Sequence, residues 1–389
     1  MITSITNQIS FTPARLPKEL EPLRLEVRTF LETALEGMSP VKRSHSWEAY
    51  DPDFSAKLGS KGWIGMTLPK EYGGHGRTFF ERYVVVEECL VAGAPTAFHW
   101  VADRQSGQLI IKYGTESQKK EIIPKITSGK ACFAIGMSEP NSGSDLASLR
   151  CKAEKNSNGW LINGTKIWTS NAHRANYMIA LFRTDPDPSK KHSGLSQFLI
   201  DLEKTQGITA RPIKNLAGGE NFNEVSFVDV ELPFDALIGV EGEGWKQCTE
   251  ELALERSGPE RYLSCFYLLR KLMANLGSNC DQSIKARLGK QIAWAITLRN
   301  MSLSIAAQLE NGESPTLAAS IVKDLGCQFE QELPGFAQEI CELAPSLEGV
   351  GNEYQQILGN LIQVVPSFSL RGGTPEIMRG IIAKGIGLR

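Results

Sequence analysis

The sequence predicts an α+β protein of several domains, with helices first, then a β-domain and then a helical bundle. At 389 residues the chain is too long for a single hydrophobic core, so two or three domains are expected. Apolar residues recur with helical spacing up to about residue 130. From there to about residue 240 they follow a strand-like pattern, and after that the helical spacing returns. These changes predict domains at 1–132, 133–240 and 241–389.

The first block is typical of helices joined by short breaks. Leu23, Val27, Phe30 and Leu31 share one apolar helix face, because they recur every three or four residues. The same pattern continues between breaker-rich segments and predicts further helices at 53–62, 79–92, 94–113 and 116–128. The first domain is therefore predicted to be entirely helical.

The middle and last blocks differ in residue composition and in the spacing of their apolar residues. The middle block has short segments rich in β-branched and aromatic residues, separated by turn-forming residues, which is typical of a small β-barrel or sandwich. These segments are 159–168, 176–184, 196–202 and 223–233. After a glycine-rich turn at 239–244, segments long enough for the helices of a bundle follow. They are 245–258, 258–277, 283–312 and 317–343.

Composition and charge argue against several classes of protein. The formal net charge is -2 and there is no basic tract, so nucleic acid is not an expected partner. No apolar run has the length of a membrane span and the first residues lack a signal-peptide core, so we expect a cytoplasmic protein with no membrane partner. The eight cysteines form no C-x-x-C pair and the five histidines lack ligand spacing, so we expect neither disulfides nor a metal site. No glycine-rich strand-to-helix turn lies near the start, which argues against a Rossmann dehydrogenase.

One long motif carries a family resemblance. Residues 136–148 read GMSEPNSGSDLAS, and this stretch closely resembles the first signature of acyl-CoA dehydrogenases. Further segments resemble the same family in the same order. They are KGWIGMTLPKEYGG (61–74), KYGTESQKKEIIPKI (112–126), INGTKIWTSNA (162–172), GLSQFLIDL (194–202) and GGTPEIMRGIIA (372–383). The resemblance implies the acyl-CoA dehydrogenase-like fold: an N-terminal helical domain, a middle β-barrel domain and a C-terminal four-helix bundle.

The resemblance also implies FAD as cofactor and acyl-CoA as substrate. Backbone and hydroxyl groups of the M-S-E-P stretch contact the flavin in the family, and a Trp-x-Ser pair supports its ring and places a hydroxyl near N5. The implied cofactor-binding residues are Met137, Ser138, Ser144, Trp168, Ser170 and Thr374. For Ser144 the implied contact is to the thioester, the pantetheine or the flavin. Without the resemblance, the serines of 136–148 would be interpreted as turn residues and Trp168 as a core residue.

The catalytic base is implied by comparing two branches of the family. Many members carry a glutamate in a turn before the last helix, but this chain has Gly372 at that position. A second branch, including isovaleryl and long-chain enzymes, supplies the base from the first long helix of the C-terminal domain, where this chain has Glu255. Glu376 matches a later, non-catalytic position. Spacing alone would place Glu255 in a charged helical patch, which is usually a solvated face.

The implied reaction is α,β-dehydrogenation of an acyl-CoA to the trans-2-enoyl-CoA. Glu255 would remove the α-proton while the β-hydrogen leaves as hydride to flavin N5. The Gly372 amide and a ribityl hydroxyl would hydrogen-bond the thioester carbonyl, which stabilises enolate character. Arg256 would orient the turn that contains Gly372; the alternative interpretation of Arg256 is an ordinary surface ion pair.

Alternatives and partners also follow from the resemblance. Family members usually reach the FAD of a neighbouring subunit through two bundle segments, and the nearest stretches here, 286–290 and 347–352, match poorly, so no residue is assigned to the diphosphate. The chain could therefore be one subunit of a heteromeric dehydrogenase rather than a homotetramer or dimer. Two further alternatives have the same fold. One is an acyl-CoA oxidase or flavin monooxygenase, and the other is a non-catalytic relative, such as a DNA-binding protein. Electron-transfer flavoprotein is the implied electron acceptor.

Overall fold

The structure is a computed structural model that describes residues 11–187, 189–256, 258–278 and 280–388, apart from the side chain of Ala253. The described chain forms two compact units, each assembled from separate stretches of sequence. The first unit contains the described residues within 1–54, 77–97 and 253–389, and the second contains those within 55–76 and 98–252.

Helices precede and follow a block of strands, as the sequence predicts. The α-helices are α1 (Glu21–Ala34), α2 (Pro40–Ser44), α3 (Pro52–Ser60), α4 (Phe79–Ala92), α5 (Gly107–Tyr113), α6 (Glu116–Thr127), α7 (Gly244–Glu255), α8 (Phe266–Leu276), α9 (Gln282–Glu310), α10 (Thr316–Ile340), α11 (Glu353–Val364) and α12 (Pro375–Gly385). The strands are β1 (Phe133–Gly136), β2 (Lys152–Lys155), β3 (Trp160–Ser170), β4 (Tyr177–Arg183), β5 (Leu195–Asp201), β6 (Ile208–Ile213) and β7 (Phe222–Leu232). Within the described part of the chain, no helix combines the length and apolarity needed to cross a bilayer.

Two predicted helices begin later than expected. The segment 94–113 becomes helical only at Trp100 and contains a π-helical stretch at Ala102–Ser106, and Pro95 disfavours the predicted helical conformation at Ala94. The segment 258–277 forms α-helix only from Phe266, after a short 3₁₀ turn at Pro259–Arg261. Before Phe266, the backbone N–H of Ser264 donates to the Glu330 carboxylate at 2.7 Å rather than to a helical carbonyl.

The second unit is built on one sheet of seven strands. Its order is β1-β4-β2-β3-β7-β6, with β5 pairing β4; β1 and β2 run parallel to β4, and the other pairs are antiparallel. The predicted segments correspond to β3, β4, β5 and β7. The other three strands were not predicted, because they are short or carry few apolar residues, and the four-residue β2 buries only Ala153.

Aromatic side chains fill the interior of this sheet. Phe182 is fully buried and makes edge-on contacts with Phe198 at 5.8 Å and Phe227 at 5.2 Å, and Trp160 meets Phe198 at 5.0 Å. Such contacts combine large apolar burial with favourable ring geometry. They give β3 and β4 a firm base, and β3 carries one of the predicted binding segments.

The core of the first unit is centred on α10. This helix buries apolar side chains along its whole length, including Val322, Phe329 and Leu333. The 3₁₀ segment 365–370 packs against it through Phe368, which is also fully buried. The turn that follows, at 371–374, is therefore held on a rigid support.

Candidate active site

The loop after β1 is fixed by a buried ion pair. The Lys166 ammonium, fully buried, donates to the Met137 carbonyl at 3.0 Å and lies 2.9 Å from a Glu139 carboxylate oxygen. Glu139 also accepts from the backbone N–H groups of Arg150 at 2.7 Å and Cys151 at 2.9 Å. Burial opposes ionisation of Glu139, but the Lys166 charge and these donors outweigh it and lower the pKa of this carboxyl. Charge and hydrogen bonds thus hold the M-S-E-P backbone in one conformation.

The loop and β3 bring Ser138 next to Trp168. The backbone N–H of Ile167 donates to the Ser138 carbonyl at 2.8 Å, and Trp168 follows directly. Trp168 has φ +60° at an irregularity in the β3–β7 pairing, and its side chain is 57% exposed. Its ring meets Phe222 edge-on at 6.1 Å. A large exposed aromatic residue held in a left-handed conformation costs free energy, which is typical of a binding position rather than of core packing.

The other implied cofactor-binding residues differ in their surroundings. Ser170 is exposed at the end of β3, where it pairs with Phe222 of β7. Ser144 is exposed in the turn that follows the M-S-E-P stretch. Met137 turns its side chain into the core, with its sulfur 3.4 Å from the Cys248 sulfur, so only its backbone remains for a ligand. Ser138, Trp168 and Ser170 therefore lie in one part of the second unit.

In the first unit, Glu255 is held by an arginine. It is the last residue of α7, and its carboxylate oxygen Oε1 lies 2.6 Å from Nη2 of Arg261. The Nε of the same arginine donates to the Glu255 carbonyl at 2.9 Å. Arg261 is almost fully buried, and its guanidinium lies 4.7 Å from the ring centre of Trp47. The charged patch that the sequence favours as a solvated face is therefore buried at these positions.

The turn at 371–374 lies directly against this carboxylate. Gly372 has φ +69°, and a Cβ placed there would lie 3.0 Å from Oε2 of Glu255 and 2.9 Å from Nη2 of Arg261. The buried Arg256 donates from Nε to the Gly372 carbonyl at 2.9 Å. Glu376 is exposed in the first turn of α12. The structure thus brings together the three residues predicted for the reaction: Glu255, Gly372 and Arg256.

Thr374 has a structural explanation of its own. Its hydroxyl accepts a hydrogen bond from the backbone N–H of Ile377 at 3.4 Å, which makes it the N-cap of α12. Capping residues of this kind satisfy a helix N-terminus. The binding role predicted for Thr374 is therefore not needed to explain its position.

Sequence reasoning missed Lys323 on α10. Its fully buried ammonium donates to the Ser369 carbonyl at 3.0 Å and also to the Gly373 carbonyl. Burial lowers the pKa of Lys323 to about 8. The signal was present, because Ala319, Val322 and Gly326 place Lys323 on the buried face of the helix. Lys323 and Arg256 thus hold adjacent carbonyls of the same turn.

A buried acid–base pair supports the start of the turn. Nη2 of Arg371 lies 3.0 Å from Oε2 of Glu330, which is fully buried on α10. Burial raises the pKa of Glu330, although the Arg371 charge opposes this. The Arg371 guanidinium lies 3.6 Å from the ring centre of Phe368 and 4.6 Å from that of Trp47. Trp47 therefore contacts both Arg371 and Arg261.

The buried Lys323 predicts a specific pH dependence of stability. Because its pKa is about 8 in the folded chain, against an ordinary 10.5, the unfolded chain alone holds this proton between those values. Stability therefore rises with pH through this window, by up to about 3 kcal/mol. We expect the free energy of unfolding of wild type to rise by about this amount relative to Lys323→Met, as measured by urea denaturation at both ends of the window.

The control for this experiment is Lys384→Met, which removes an exposed lysine from α12. Comparing it with Lys323→Met separates the loss of a buried amine from the loss of a lysine charge. A constant difference between wild type and Lys323→Met across the window would contradict the lowered pKa of Lys323.

The segments considered for the diphosphate lie elsewhere in the first unit. Arg287 pairs with Glu339 at 2.5 Å, and both side chains are largely exposed. Gly349 and Gly351 have positive φ and precede α11, whose N-cap is Asn352. None of these contacts assigns a ligand. Among the described residues, no group of histidine, cysteine, aspartate and glutamate side chains could hold a metal ion.

Known proteins resemble this chain over nearly its whole length. It is 31% identical to the acyl-CoA dehydrogenase IpdE1 of Mycolicibacterium smegmatis over 95% of this chain and 97% of that protein. It superposes on the solved structure of the Tcur3481-Tcur3483 steroid ACAD with a TM-score of 0.85 and 29% identity, covering 98% of this chain and 99% of that one. For the ChsE4-ChsE5 complex of Mycobacterium tuberculosis the TM-score is 0.80 and the identity 27%, covering 96% and 98%.

Family models account for most of the sequence. The N-terminal, middle and C-terminal domains of acyl-CoA dehydrogenase match residues 17–130, 134–230 and 262–387. These matches agree with the observed order of helices, sheet and helices, and they confirm the predicted fold class. The chain belongs to the acyl-CoA dehydrogenase family.

Proposed function

We propose that this chain catalyses the FAD-dependent α,β-dehydrogenation of an acyl-CoA thioester to the trans-2-enoyl-CoA. The observation that carries the proposal is the position of Gly372 against Glu255. At the place where many relatives carry the catalytic glutamate, a Cβ added to Gly372 would lie 3.0 Å from the Glu255 carboxylate, which comes from the end of α7. The single carboxylate of Glu255 therefore lies near both positions at which members of the family carry the base.

The residues of the first unit have distinct proposed roles. Glu255 removes the proton from the carbon α to the thioester. The Gly372 N–H donates to the thioester carbonyl, which makes that proton more acidic. Arg256 fixes the turn through the Gly372 carbonyl, at 2.9 Å. These roles agree with the structure of the turn, in which Arg256 holds the Gly372 carbonyl and Lys323 holds the Gly373 carbonyl.

The second unit supplies residues suited to a flavin. Ser138 and Ser170 offer hydroxyl groups, and the exposed ring of Trp168 offers an aromatic surface for the isoalloxazine. The buried Lys166–Glu139 pair keeps the loop in place before any ligand binds, which limits the entropy lost on binding. When bound, FAD supplies the hydride acceptor that the reaction requires.

Trp168→Ala tests the aromatic surface. We expect the dissociation constant for FAD to rise about tenfold, since ring contacts contribute about 0.5–1.5 kcal/mol beyond their buried area. Protein stripped of flavin and titrated with FAD by fluorescence gives this constant. Phe234→Ala removes another exposed aromatic residue from the same unit and should leave it unchanged. An equal loss in both variants would contradict a specific role for Trp168.

The test of the function is the visible spectrum of the purified protein under anaerobic conditions. The panel of acyl-CoA thioesters contains short, branched, long and steroid-derived acyl chains. Bleaching of a flavin spectrum by one thioester, with formation of the 2-enoyl product, is the expected result. A protein that binds FAD and is not reduced by any member of the panel would contradict the proposed reaction.

For the acyl group, we propose a bulky ring-bearing chain of the steroid-derived class. The proposal is supported by the similarity to a structure described as a steroid ACAD, at 29% identity and nearly complete coverage. The panel tests it directly, because a preference for short straight chains would exclude it. We further propose electron-transfer flavoprotein as the electron acceptor and the cytoplasm as the compartment, both from the family resemblance.

A second candidate is one subunit of a heteromeric dehydrogenase. Two of the similar solved structures are described by pairs of chain names, Tcur3481-Tcur3483 and ChsE4-ChsE5. Light scattering together with flavin content per chain separates the two candidates. A homotetramer with one flavin per chain supports the homomeric enzyme. A chain that retains flavin only when co-expressed with a second family member supports the heteromer.

A further inference from the structure

We propose that Arg261 is the positioning residue of the catalytic base, holding the Glu255 carboxylate in place and keeping it ionised at acidic pH. This inference rests on the proposed function, in which Glu255 removes the α-proton. Arg261 lies in none of the segments that carry the family resemblance. Its role follows from its contacts with Glu255.

Arg261 holds Glu255 at two points. Its Nη2 lies 2.6 Å from Oε1 of the carboxylate, and its Nε donates to the carbonyl of the same residue at 2.9 Å. The first contact restricts the side chain, and the second fixes the backbone at the end of α7. The planar fork of a guanidinium can make both contacts at once, whereas the single ammonium of a lysine is less suited to do so.

Arg261 is itself rigidly placed. Its side chain is 1% exposed, and the guanidinium lies over the ring of Trp47. Its backbone lies so close to α10 that a Cβ at Gly326 would fall 2.2 Å from the Arg261 carbonyl oxygen. Because the Arg261 side chain is fixed in this way, it can also fix the position of the Glu255 carboxylate, as preorganised sites require.

The charge of Arg261 lies in direct contact with the base, 2.6 Å from its Oε1. The Glu255 side chain is only 13% exposed, so its ionised form needs a compensating charge. Other buried charges belong to the same cluster. The Lys323 charge interacts with those of Glu255, Arg261 and Arg371, and the Glu330 charge interacts with those of Arg261 and Arg371. Arg256 and Glu260 are the chain neighbours of Glu255 and Arg261, and both are buried. Arg371 pairs with Glu330, and Arg256 and Lys323 are engaged by carbonyls of the late turn.

The experiment compares Arg261→Gln and Arg261→Lys in the holoenzyme. The rate of flavin reduction by the best thioester of the panel is measured from acidic to alkaline pH by anaerobic stopped flow. Arg261→Gln should move the rising limb of the profile upward by about one to three pH units, the usual effect of a close opposite charge on a carboxyl group. Arg261→Lys keeps the charge and should leave the limb in place, but should lower the rate about tenfold at every pH because the fork is lost.

Infrared difference spectra add a readout that needs no turnover. Spectra taken against the Glu255→Gln variant report the protonation of this one carboxyl across the same pH range. We expect its midpoint to rise in Arg261→Gln together with the kinetic limb. The matched control is Lys271→Gln, which breaks a lysine–glutamate pair of similar N–O distance, 2.7 Å, between partly exposed side chains of the same unit, and which should move neither.

The outcomes separate this proposal from the assignment of the base. If Glu255→Gln is inactive and the limb of Arg261→Gln coincides with that of wild type, Arg261 has no such role. If Glu255→Gln reduces flavin normally, the base is another group, and both assignments are overturned. Should Arg261→Gln fail to fold, Arg261→Lys decides the question, since a wild-type rate in that variant contradicts the two-point hold.

Discussion

Replacing Glu255 by Gln will lower the rate of flavin reduction by about a thousandfold or more. The amide keeps the shape of the side chain but cannot accept the α-proton, and general-base groups contribute about 10²–10⁴ in rate. The substitution also removes the charge partner of the buried Arg261, at 2.6 Å. Breaking a buried pair costs up to about 3–5 kcal/mol, so the variant should unfold at a lower urea concentration. Anaerobic stopped flow at the flavin absorbance gives the rate.

The control for this experiment lies one and a half turns earlier on the same helix. Glu250 pairs with Lys112 at 2.6 Å at a partly exposed position of the second unit. Glu250→Gln changes the same functional group and should reduce flavin at close to the wild-type rate. A Glu255→Gln variant that is folded, binds flavin and reacts like the Glu250 variant would place the base elsewhere.

Replacing Gly372 by Ala will have the second largest effect. The new Cβ would lie 3.0 Å from Oε2 of Glu255 and 2.9 Å from Nη2 of Arg261, so the carboxylate must move. A misplaced base loses about a hundredfold in rate when the shift approaches 1 Å. The left-handed conformation at this position, φ +69°, adds a cost of about 1–2 kcal/mol for a residue with a Cβ. Both the rate of flavin reduction and the urea midpoint should fall.

The control isolates the cost of the backbone. Gly312, in the same unit, has φ +75°, but a Cβ there would meet nothing within 4 Å. Gly312→Ala should therefore lose stability to a similar extent and keep its rate of flavin reduction. If both alanine variants keep the wild-type rate, the contact between the turn and the carboxylate has no part in catalysis.

The sequence was most informative where the structure depends on local patterns. Helix α4 was predicted from its apolar pattern with its observed bounds, and the structure gives these bounds a local cause: Thr78 and Glu81 form a capping box, and Gly93 ends the helix in a left-handed conformation. The start predicted for the next segment, at Ala94, was wrong, because Pro95 disfavours a helical conformation at Ala94 and the chain becomes helical only at Trp100. Local signals therefore fix the ends of helices when capping residues are present.

The candidate site depended on long-range contacts that the sequence could not predict. The resemblance supplied Glu255 and Gly372, but not their contact with Arg261, which lies outside every segment that carries the resemblance. Lys166 and Glu139 are likewise paired only through the fold. Buried charges of this kind depend on which elements come together, and periodicity within one segment carries no information about that.

The contact between Gly372 and Glu255 restricts how such a site can change over generations. A glutamate at position 372 beside the existing carboxylate would place two like charges together, and one of them would stay protonated at neutral pH. Removing Glu255 first would leave an intermediate with no base. A relocation of the base between these positions therefore passes through an intermediate with two crowded carboxylates or with none, unless both codons change together. Lineages that adopt one arrangement should tend to keep it.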